Sequence, residues 1–496
     1  MAQNISGPFG YNNLYSSVNK LFAAYVNDIV DVNINAGYSQ NLTPNTNAEF
    51  ATYIDYCFFA NGVDPTRSFN GTAWSTLGVV NRAPIFKYLK TYNTRLYGAY
   101  STVNGETYPS RVWNTGLPHN NLPRWELEWG DNLVQASASD QVTSNGAQFL
   151  SYGVKVADPF WILDGDNAGE YIVESVDAEQ RITLTTNLPY TAVGSRYIVG
   201  SNYFDVKTDD NEAIRGLGEN ASRLMMFKLN SLHAYNGTSL YQIRGAPGTS
   251  SHRSIINISG YTLYFHGTET DKTGIYMFSE SKFVKPSASI QPYIDGIDPA
   301  MFPYICAWRE GNTYRCYVGD ITNTQRNISV TKAVLSYDVP NNKWSIDPIN
   351  KVPKCATTWV VNNIEQVFFG DDNATVYQTP IGYTLSGSHI PWAAETGVGY
   401  PEGSEFMNKF TRVQIIGRDC RGVRISYKLY NNPREVDTQW QPLNDLEYDK
   451  TELVLPVSHN RAAGINFRFE EISNQENAHF IEKISVFYIP QGTKFI

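Results

Sequence analysis

Residues 58–65 read FFANGVDP, and residues 69–74 read FNGTAW. Each stretch combines a short apolar run, typical of a β-strand, with a turn of the Asn-Gly or Asp-Pro type. The pattern recurs, since residues 233–241 read HAYNGTSLY and residues 337–344 read YDVPNNKW. Asn-Gly and Asn-Asn accept the positive φ of a hairpin, so each turn is predicted to join antiparallel strands. Repeated hairpins predict a repeat fold.

The composition favours an all-β protein. Of the 496 residues, 14% are aromatic, 33 are Tyr and only 18% are charged, which suits strands better than helices or disorder. Lys and Arg number 39 against 48 Asp and Glu, for a net charge of −9. This charge disfavours broad binding of DNA phosphates, although it allows a surface past which DNA slides.

Strand and turn patterns recur in seven candidate units. They span roughly residues 20–32, 50–74, 85–113, 224–241, 254–283, 304–344 and 357–377. The chain without its insert and terminal segment has about 330 residues, enough for about seven blades of about 45 residues each. We therefore predict a β-propeller of about six to seven blades, because radial repetition leaves few free strand edges. Its two parts are predicted at 1–130 and 207–400.

Two further domains are predicted. Residues 131–206 form an inserted small acidic β domain, since ten acidic and three basic side chains between 131 and 205 give this segment a charge of −7. Residues 401–496 form a C-terminal β-sandwich, because apolar and polar residues alternate along 423–429 and 465–470. Residues 397–403 are read as the linker before it, or alternatively as another loop within one continuous domain.

The cysteines and the N-terminus indicate neither export nor a metal cluster. Five cysteines without a Cys-x-x-Cys spacing disfavour a zinc cluster and a disulfide framework, so free thiols are predicted. Cys306 and Cys316 flank a predicted hairpin and could face each other across two strands. The first residues lack a charged and an apolar region, and 18 apolar residues nowhere run together, so no signal peptide or membrane-spanning segment is predicted.

Motifs for catalysis, cofactors and metals are missing from the sequence. The seven histidines lack the i, i+4 spacing of a zinc protease, and no nucleophile elbow or Walker-type loop is found. Residues 164–170 read DGDNAGE, but Ala168 and Ser175 occupy positions where a calcium loop needs ligands, so an acidic turn is favoured. The sequence therefore predicts no catalytic, cofactor-binding or metal-binding residues, no cofactor and no enzymatic activity.

One pair of carboxylates keeps a rival interpretation open. Glu126 and Glu128 lie between Trp125 and Trp129, as glycosidase carboxylates flanked by sugar-stacking rings would. On one strand the pair would share a face about 7 Å apart. A solvated strand face is the favoured interpretation, because no third group supports the pair.

The order of several segments carries a family resemblance. Residues 58–64, 69–74, 93–99 (NTRLYGA), 109–113 (PSRVW) and Trp125 resemble a run common in β-propeller virion proteins of tailed phages. Residues 214–217 (IRGL), 226–228 (MFK), 244–249 (RGAPGT), 274–278 (GIYMF) and Ile290 are similar to the middle of the tail hub proteins of short-tailed phages, also called nozzle or stabilisation proteins. The terminal segment, with 484–488 (ISVFY), resembles their C-terminal domain. The acidic insert is not a fixed family feature, and the first repeat is shortened.

The resemblance implies a virion protein made in the cytoplasm of a bacterial host. Six copies would form a ring below the portal and adaptor proteins, extend the DNA-ejection channel and hold a needle, plug or fibre protein. DNA would pass through without sequence-specific binding, and the acidic insert is expected outside the propeller, against a neighbouring copy or another tail protein. Two alternatives are a virion-associated glycan-binding or glycan-cleaving receptor protein and a cellular propeller that serves as an interaction platform.

Overall fold

The computed structural model describes the chain outside residues 1–4, 14–17, 26, 33–35, 45, 77–83, 104, 116–124, 222, 269–271, 280–281, 350, 362–363, 372–374, 380–383, 386–387, 390–392, 432–438, 473–479 and 494–496. It has two compact units, Met1–Thr379 and Pro380–Ile496. The described helices are short: one α-helix, Gln291–Ile294, and the 3₁₀ helices Thr208–Asp210, His252–Ser254, Pro286–Ile290, Pro299–Tyr304 and Thr324–Arg326. The regular structure is otherwise strand, which confirms the prediction of an all-β protein.

Seven antiparallel sheets and a six-stranded barrel make up the described part of the first unit. Sheet 1 contains β1 (Ile5–Asn13), β2 (Val18–Tyr25), β3 (Asp28–Asp31) and β4 (Ala36–Ser39), and sheet 2 contains β5 (Glu49–Tyr53), β6 (Tyr56–Ala60), β7 (Arg67–Phe69) and β8 (Trp74–Thr76). Sheet 3 begins with β9 (Ile85–Tyr92), β10 (Arg95–Val103) and β11 (Glu106–Asn114). The barrel follows with β12 (Glu128–Gln135), β13 (Ser139–Ser144), β14 (Pro159–Ile162), β15 (Gly169–Ala178), β16 (Arg181–Leu188) and β17 (Ala192–Val199), after which β18 (Tyr203–Asp205) completes sheet 3.

The remaining sheets of this unit follow in chain order. Sheet 4 contains β19 (Gly216–Asn220), β20 (Arg223–Phe227), β21 (Leu232–Tyr235) and β22 (Leu240–Gln242). Sheet 5 contains β23 (Ile256–Ile258), β24 (Tyr261–His266), β25 (Gly274–Phe278) and β26 (Phe283–Val284). Sheet 6 contains β27 (Cys306–Glu310), β28 (Thr313–Asn323), β29 (Ile328–Asp338) and β30 (Lys343–Pro348), and sheet 7 contains β31 (Cys355–Val361), β32 (Ile364–Gly370) and β33 (Val376–Thr379).

The seven sheets follow one another in a cycle. The first strand of each sheet contacts the first strand of the next, and β31 of sheet 7 contacts β1 of sheet 1. A separate apolar cluster lies between each pair of consecutive sheets from 1 to 7. Ala23 of sheet 1 and Cys355 of sheet 7 share a further cluster, which closes the cycle.

The middle strands of the sheets are buried on both faces. In β20, Leu224 and Met226 join the cluster shared with sheet 3, whereas Met225 and Phe227 join the one shared with sheet 5. Successive side chains of a strand point to opposite faces, so a strand packed on both sides needs an apolar residue at every position. This explains why residues 224–227 read LMMF without alternation.

The barrel interrupts sheet 3 between β11 and β18, which pair with each other. It closes because β12 pairs with both β13 and β17. Its buried cluster consists of its own residues, with the rings of Phe160 and Tyr197 stacked 5.4 Å apart. Glu128 and Val199 are directly paired, so the chain enters and leaves the barrel at one place. The division into 1–130, 131–206, 207–400 and 401–496 stays a prediction.

The described strands of the second unit form a two-stranded sheet and two four-stranded sheets, and the latter share one apolar core. Its strands are β34 (Thr384–Leu385), β35 (Ser388–His389), β36 (Ala393–Glu395), β37 (Phe406–Arg418), β38 (Val423–Tyr430), β39 (Gln441–Leu446), β40 (Lys450–Val454), β41 (Arg461–Ala462), β42 (Gly464–Glu471) and β43 (Phe480–Thr493). One sheet has the order β36-β42-β38-β39, and in the other β37 pairs with β40, β41 and β43. Phe410, Ile425 and Phe467 are among the residues of the core.

The predicted hairpin turns are confirmed, and Asn has a further role in those of the Asn-Gly type. Asn70 lies between the paired strands β7 and β8, and Asn236 between β21 and β22. The side-chain oxygen of Asn236 accepts from the backbone N–H groups of Thr238 and Ser239 at 3.0 and 2.8 Å. Gly237, with φ of 98°, supplies the left-handed residue. In this Asn-Gly turn Asn contributes an acceptor and Gly contributes the positive φ. In the turn between β29 and β30, Asn342 itself has a φ of 51°, as the sequence predicts.

The described cysteines are free and buried, as the sequence predicts. The idea that Cys306 and Cys316 face each other is wrong. Cys306 pairs with Tyr317 and Cys316 pairs with Ala307. This offset of one residue places the two thiols on opposite faces of sheet 6.

Candidate functional site

The carboxylates suggested by sequence are not exposed. Trp125 is 1% exposed, and its ring centroid lies 4.6 Å from that of Phe86 in the core between sheets 2 and 3. Glu126 and Glu128 are 7% and 9% exposed, so their interpretation as a solvated strand face is wrong. Glu126 precedes β12 whereas Glu128 begins it. Because Trp125 is part of the core, it is not available to stack on a sugar.

The acidic turn at residues 164–170 is held by contacts within the barrel. Asp164 accepts from the Arg196 backbone N–H at 2.8 Å and from its guanidinium at 2.6 Å. These hydrogen bonds lower the pKa of the Asp164 carboxyl below its ordinary value. The side chain of Asn167 donates to Gln135 Oε1 at 2.6 Å and to the Tyr190 carbonyl at 2.7 Å. This arrangement gives the loop a structural role.

The remaining candidate features are metal sites, membrane-spanning helices and the histidines. Among the described residues, no group of three or more His, Cys, Asp and Glu could hold a metal ion. The same residues include no helix long and apolar enough to cross a bilayer. His233 and His266 are buried, while His119 and His479 lie outside the described residues.

Two cavities lie where the first strands of the sheets meet. The larger, of about 320 Å³, we call the basic cavity; residues from sheets 2 and 3 and from the segments before β5, β19, β23, β27 and β31 line it. The smaller, of about 220 Å³, we call the apolar cavity; it is lined mainly by apolar residues of the first strands. Glu49, His252 and Arg253 line both cavities.

A contact between a histidine and a glutamate lies between the two cavities. His252 Nε2 lies 2.9 Å from Glu49 Oε2, and the ring centroids of His252 and Tyr88 are 4.9 Å apart. A Cβ at Gly216 would lie 2.7 Å from His252 Nδ1, so only glycine allows this close approach. Burial, followed by the charge of Glu49, raises the pKa of the Tyr88 hydroxyl well above its ordinary value. The aromatic ring is therefore a neutral wall of the cavity.

Four cationic side chains line the basic cavity. Arg253 is fixed, because its guanidinium donates to the Lys354 carbonyl and, at 3.1 Å, to Asn47 Oδ1. The Lys87 ammonium lies 4.8 Å from the ring centroid of Tyr100. Burial and then the charge of Arg215 lower the pKa of Lys87. The arrangement can hold a negatively charged group.

Sequence analysis missed this group of residues. Glu49 and His252 are 203 positions apart. Lys87 lies in β9, whereas Arg215 and Lys354 immediately precede β19 and β31. Each of these residues lies in the first strand of a repeat unit or in the segment that precedes it. These residues therefore come together only when the repeat units are arranged in a cycle, and no local sequence pattern identifies them.

Comparisons with known proteins give no family. No protein-family model matches the chain, and no curated protein matches its sequence. Solved structures with some likeness include the phage phi92 endosialidase, at 10% identity and a TM-score of 0.23, with 96% of this chain and 68% of that chain covered. A Trypanosoma rangeli sialidase has 8% identity and a TM-score of 0.29, with coverage of 99% and 94%. An exo-β-1,3-galactanase from Phanerochaete chrysosporium has 10% identity and a TM-score of 0.21, with coverage of 90% and 97%.

These structures correct one expectation from the sequence. The endosialidase, the sialidase and the galactanase are enzymes that act on glycans, as their names state. They contradict the expectation that the chain has no enzymatic activity, and that expectation is withdrawn. TM-scores of 0.21 to 0.29 assign no reaction to the chain in its place.

Proposed function

We propose that this protein is a β-propeller component of a phage tail, in which several copies form a ring. The observation that carries the proposal is the cycle of seven sheets with an apolar cluster between each pair of neighbours. In this interpretation each sheet is a blade, residues 1–130 and 207–400 supply the blades, residues 131–206 are an inserted domain and residues 401–496 are a terminal β-sandwich. The order of segments that resembles tail hub proteins agrees with it.

The physical properties of a propeller suit a permanent ring. A cycle of sheets leaves mainly the outermost strands as free edges, and β8, β18, β22 and β26 have three residues or fewer. Short edges discourage disordered pairing between copies. A net charge of −9 keeps DNA phosphates from adhering while DNA passes through the centre of the ring. We expect a hexamer bound to portal and adaptor proteins, located in the virion tail.

Light scattering of the purified full chain tests the ring, alone and mixed with portal and adaptor proteins. A mass of about six chains, with sixfold class averages in negative stain, is expected in at least one of the two conditions. A stable monomer in both conditions would overturn the proposal.

The barrel is proposed to contact a neighbouring copy or another tail protein. Because Glu128 and Val199 are paired, residues 129–198 can be replaced by an Asn-Gly turn without separating β11 from β18. Loss of ring formation or of particle assembly in this variant is expected. Normal ring formation together with normal particle assembly in this variant would rule out the proposed contact.

A second candidate is recognition or cleavage of a host glycan by a virion protein. The named solved structures are glycan-acting proteins, so the comparisons agree with this candidate better than with a tail ring. A glycan array and an assay for released reducing sugar test it on the purified chain. Activity that is equal in a Glu126→Gln, Glu128→Gln double variant would exclude these carboxylates from catalysis. Absence of both binding and release would remove the candidate.

A further inference from the structure

We propose that the basic cavity binds an oxyanion, the carboxylate or phosphate group of a ligand about as large as a monosaccharide. The two sources share one recognition chemistry and are separated by the experiment below. This inference is independent of the tail ring, since it concerns the interior of one chain.

Positive charge exceeds negative charge around the cavity. Its lining contains four cations, Lys87, Arg215, Arg253 and Lys354, and one carboxylate, Glu49. That carboxylate is already paired with His252. Among the described residues, Lys87 and Arg215 form no ion pair. Such a concentration of positive charge in a chain of net charge −9 is not a consequence of composition.

Without a ligand, the neighbouring cations of the cavity repel one another. Lys87 is half-buried, and its ammonium is both desolvated and repelled by Arg215, which together lower its pKa. Like charges in a partly dry site destabilise each other. A bound oxyanion would offset the repulsion between the half-buried Lys87 ammonium and the exposed Arg215 guanidinium. Arg253 is already held in place by Asn47 and the Lys354 carbonyl, so little freedom is lost on binding.

The size and the lining of the cavity suit a small ligand. Its volume of about 320 Å³ lies in the range of small-ligand pockets. Tyr88, Tyr100 and Tyr304 provide apolar faces for the body of a ligand beside the cations. A guanidinium presents donors in a fork that fits two oxygens of one carboxylate or phosphate. The lining therefore fits an anionic group attached to a small ring better than a neutral molecule.

Calorimetric titration of the full chain at constant ionic strength tests the proposal with three probes: inorganic phosphate, glucuronate and glucose. Binding of phosphate alone identifies a phosphate ligand, and binding of glucuronate alone identifies an acidic sugar. Binding of both shows a general oxyanion site. Binding of neither, or equal binding of glucose and glucuronate, would overturn the proposal.

Variants locate the site. Lys87→Gln and Arg215→Gln should each weaken binding roughly tenfold or more, the usual loss for one hydrogen bond to a charged group. Lys343→Gln, at an exposed lysine in the hairpin of sheet 6, is the matched control and should leave affinity unchanged. Glu49→Gln removes the one carboxylate and should strengthen binding, which an unfolded variant could not do. Affinity that is insensitive to Lys87, Arg215 and Glu49 would place the ligand elsewhere and overturn the proposal.

Discussion

The cycle of sheets and the barrel bury their apolar residues in two different ways. Every cluster of the cycle is shared by two sheets, so each sheet depends on both of its neighbours. The cluster of the barrel contains barrel residues alone, and its strands close on themselves. Stability in the cycle is therefore distributed over many residues, whereas in the barrel it is local. Changes in the two regions should differ in how far their effects spread.

The largest effect is expected from a shared cluster. Phe227→Ala, at a residue that is 0% exposed between sheets 4 and 5, should destabilise the protein by about 4 kcal/mol. Hydrogen exchange should accelerate in both sheets. Leu184→Ala in the barrel, also at 0% exposure, is the matched control and should accelerate exchange only in residues 128–199. Acceleration limited to sheet 4 in the Phe227 variant would contradict the shared core.

The second largest expected effect is a difference between the cycle and the barrel in how their stability depends on pH. Burial lowers the pKa of His266, at the end of β24, to about 4, from 6.5 in an unfolded chain. Only the unfolded state binds the proton between these values, so the free energy of unfolding should fall by about 3 kcal/mol as the pH falls from 6.5 to 4. His266→Gln should reduce this loss without abolishing it, because burial also lowers the pKa of His233, while His459→Gln, at an exposed position, should keep it.

The barrel should respond only at lower pH. Hydrogen bonds from the Ser175 and Thr183 hydroxyls lower the pKa of Asp177 below 3.8. Such a carboxylate stabilises the fold above its unfolded pKa, and this stabilisation is lost as the pH falls below 3.8. Denaturant titrations at pH 7, 5 and 3, followed by exchange in each region, check the order. Unfolding of the barrel at a higher pH than the cycle would contradict this prediction.

Excision of the barrel should have a smaller effect on the cycle. Replacement of residues 129–198 by Asn-Gly should cost the cycle less than about 2 kcal/mol, because the barrel core is separate and its ends are paired. Thermal unfolding followed by near-ultraviolet circular dichroism should retain a cooperative transition. A chain that fails to fold would show that sheet 3 depends on the barrel.

The smallest effect concerns a single turn. Asn236→Ala removes the acceptor for the Thr238 and Ser239 N–H groups and should cost about 1 kcal/mol. Asn236→Asp keeps the oxygen and should cost less. Denaturant unfolding of the two variants measures the difference. Equal losses would mean that the acceptor does not fix the turn.

Local features were predictable because they depend on neighbouring residues. The strand runs, the Asn-Gly reversals and the free thiols follow from residue types within a few positions, and the structure confirms them. The face on which Cys306 and Cys316 lie was not predictable, since a register offset of one residue decides it. The burial of Glu126 and Glu128 was missed for a similar reason, because the adjoining core of Trp125 and Phe86 joins separate sheets.

The sequence by itself determined an all-β chain of repeated hairpins, since strand propensity and turn chemistry are local properties. The tertiary structure alone decided that sheet 7 meets sheet 1 and that the first strands of separate sheets surround one basic cavity. Contacts between residues hundreds of positions apart, such as Glu49 and His252, depend on how the sheets pack, and no local pattern encodes that packing.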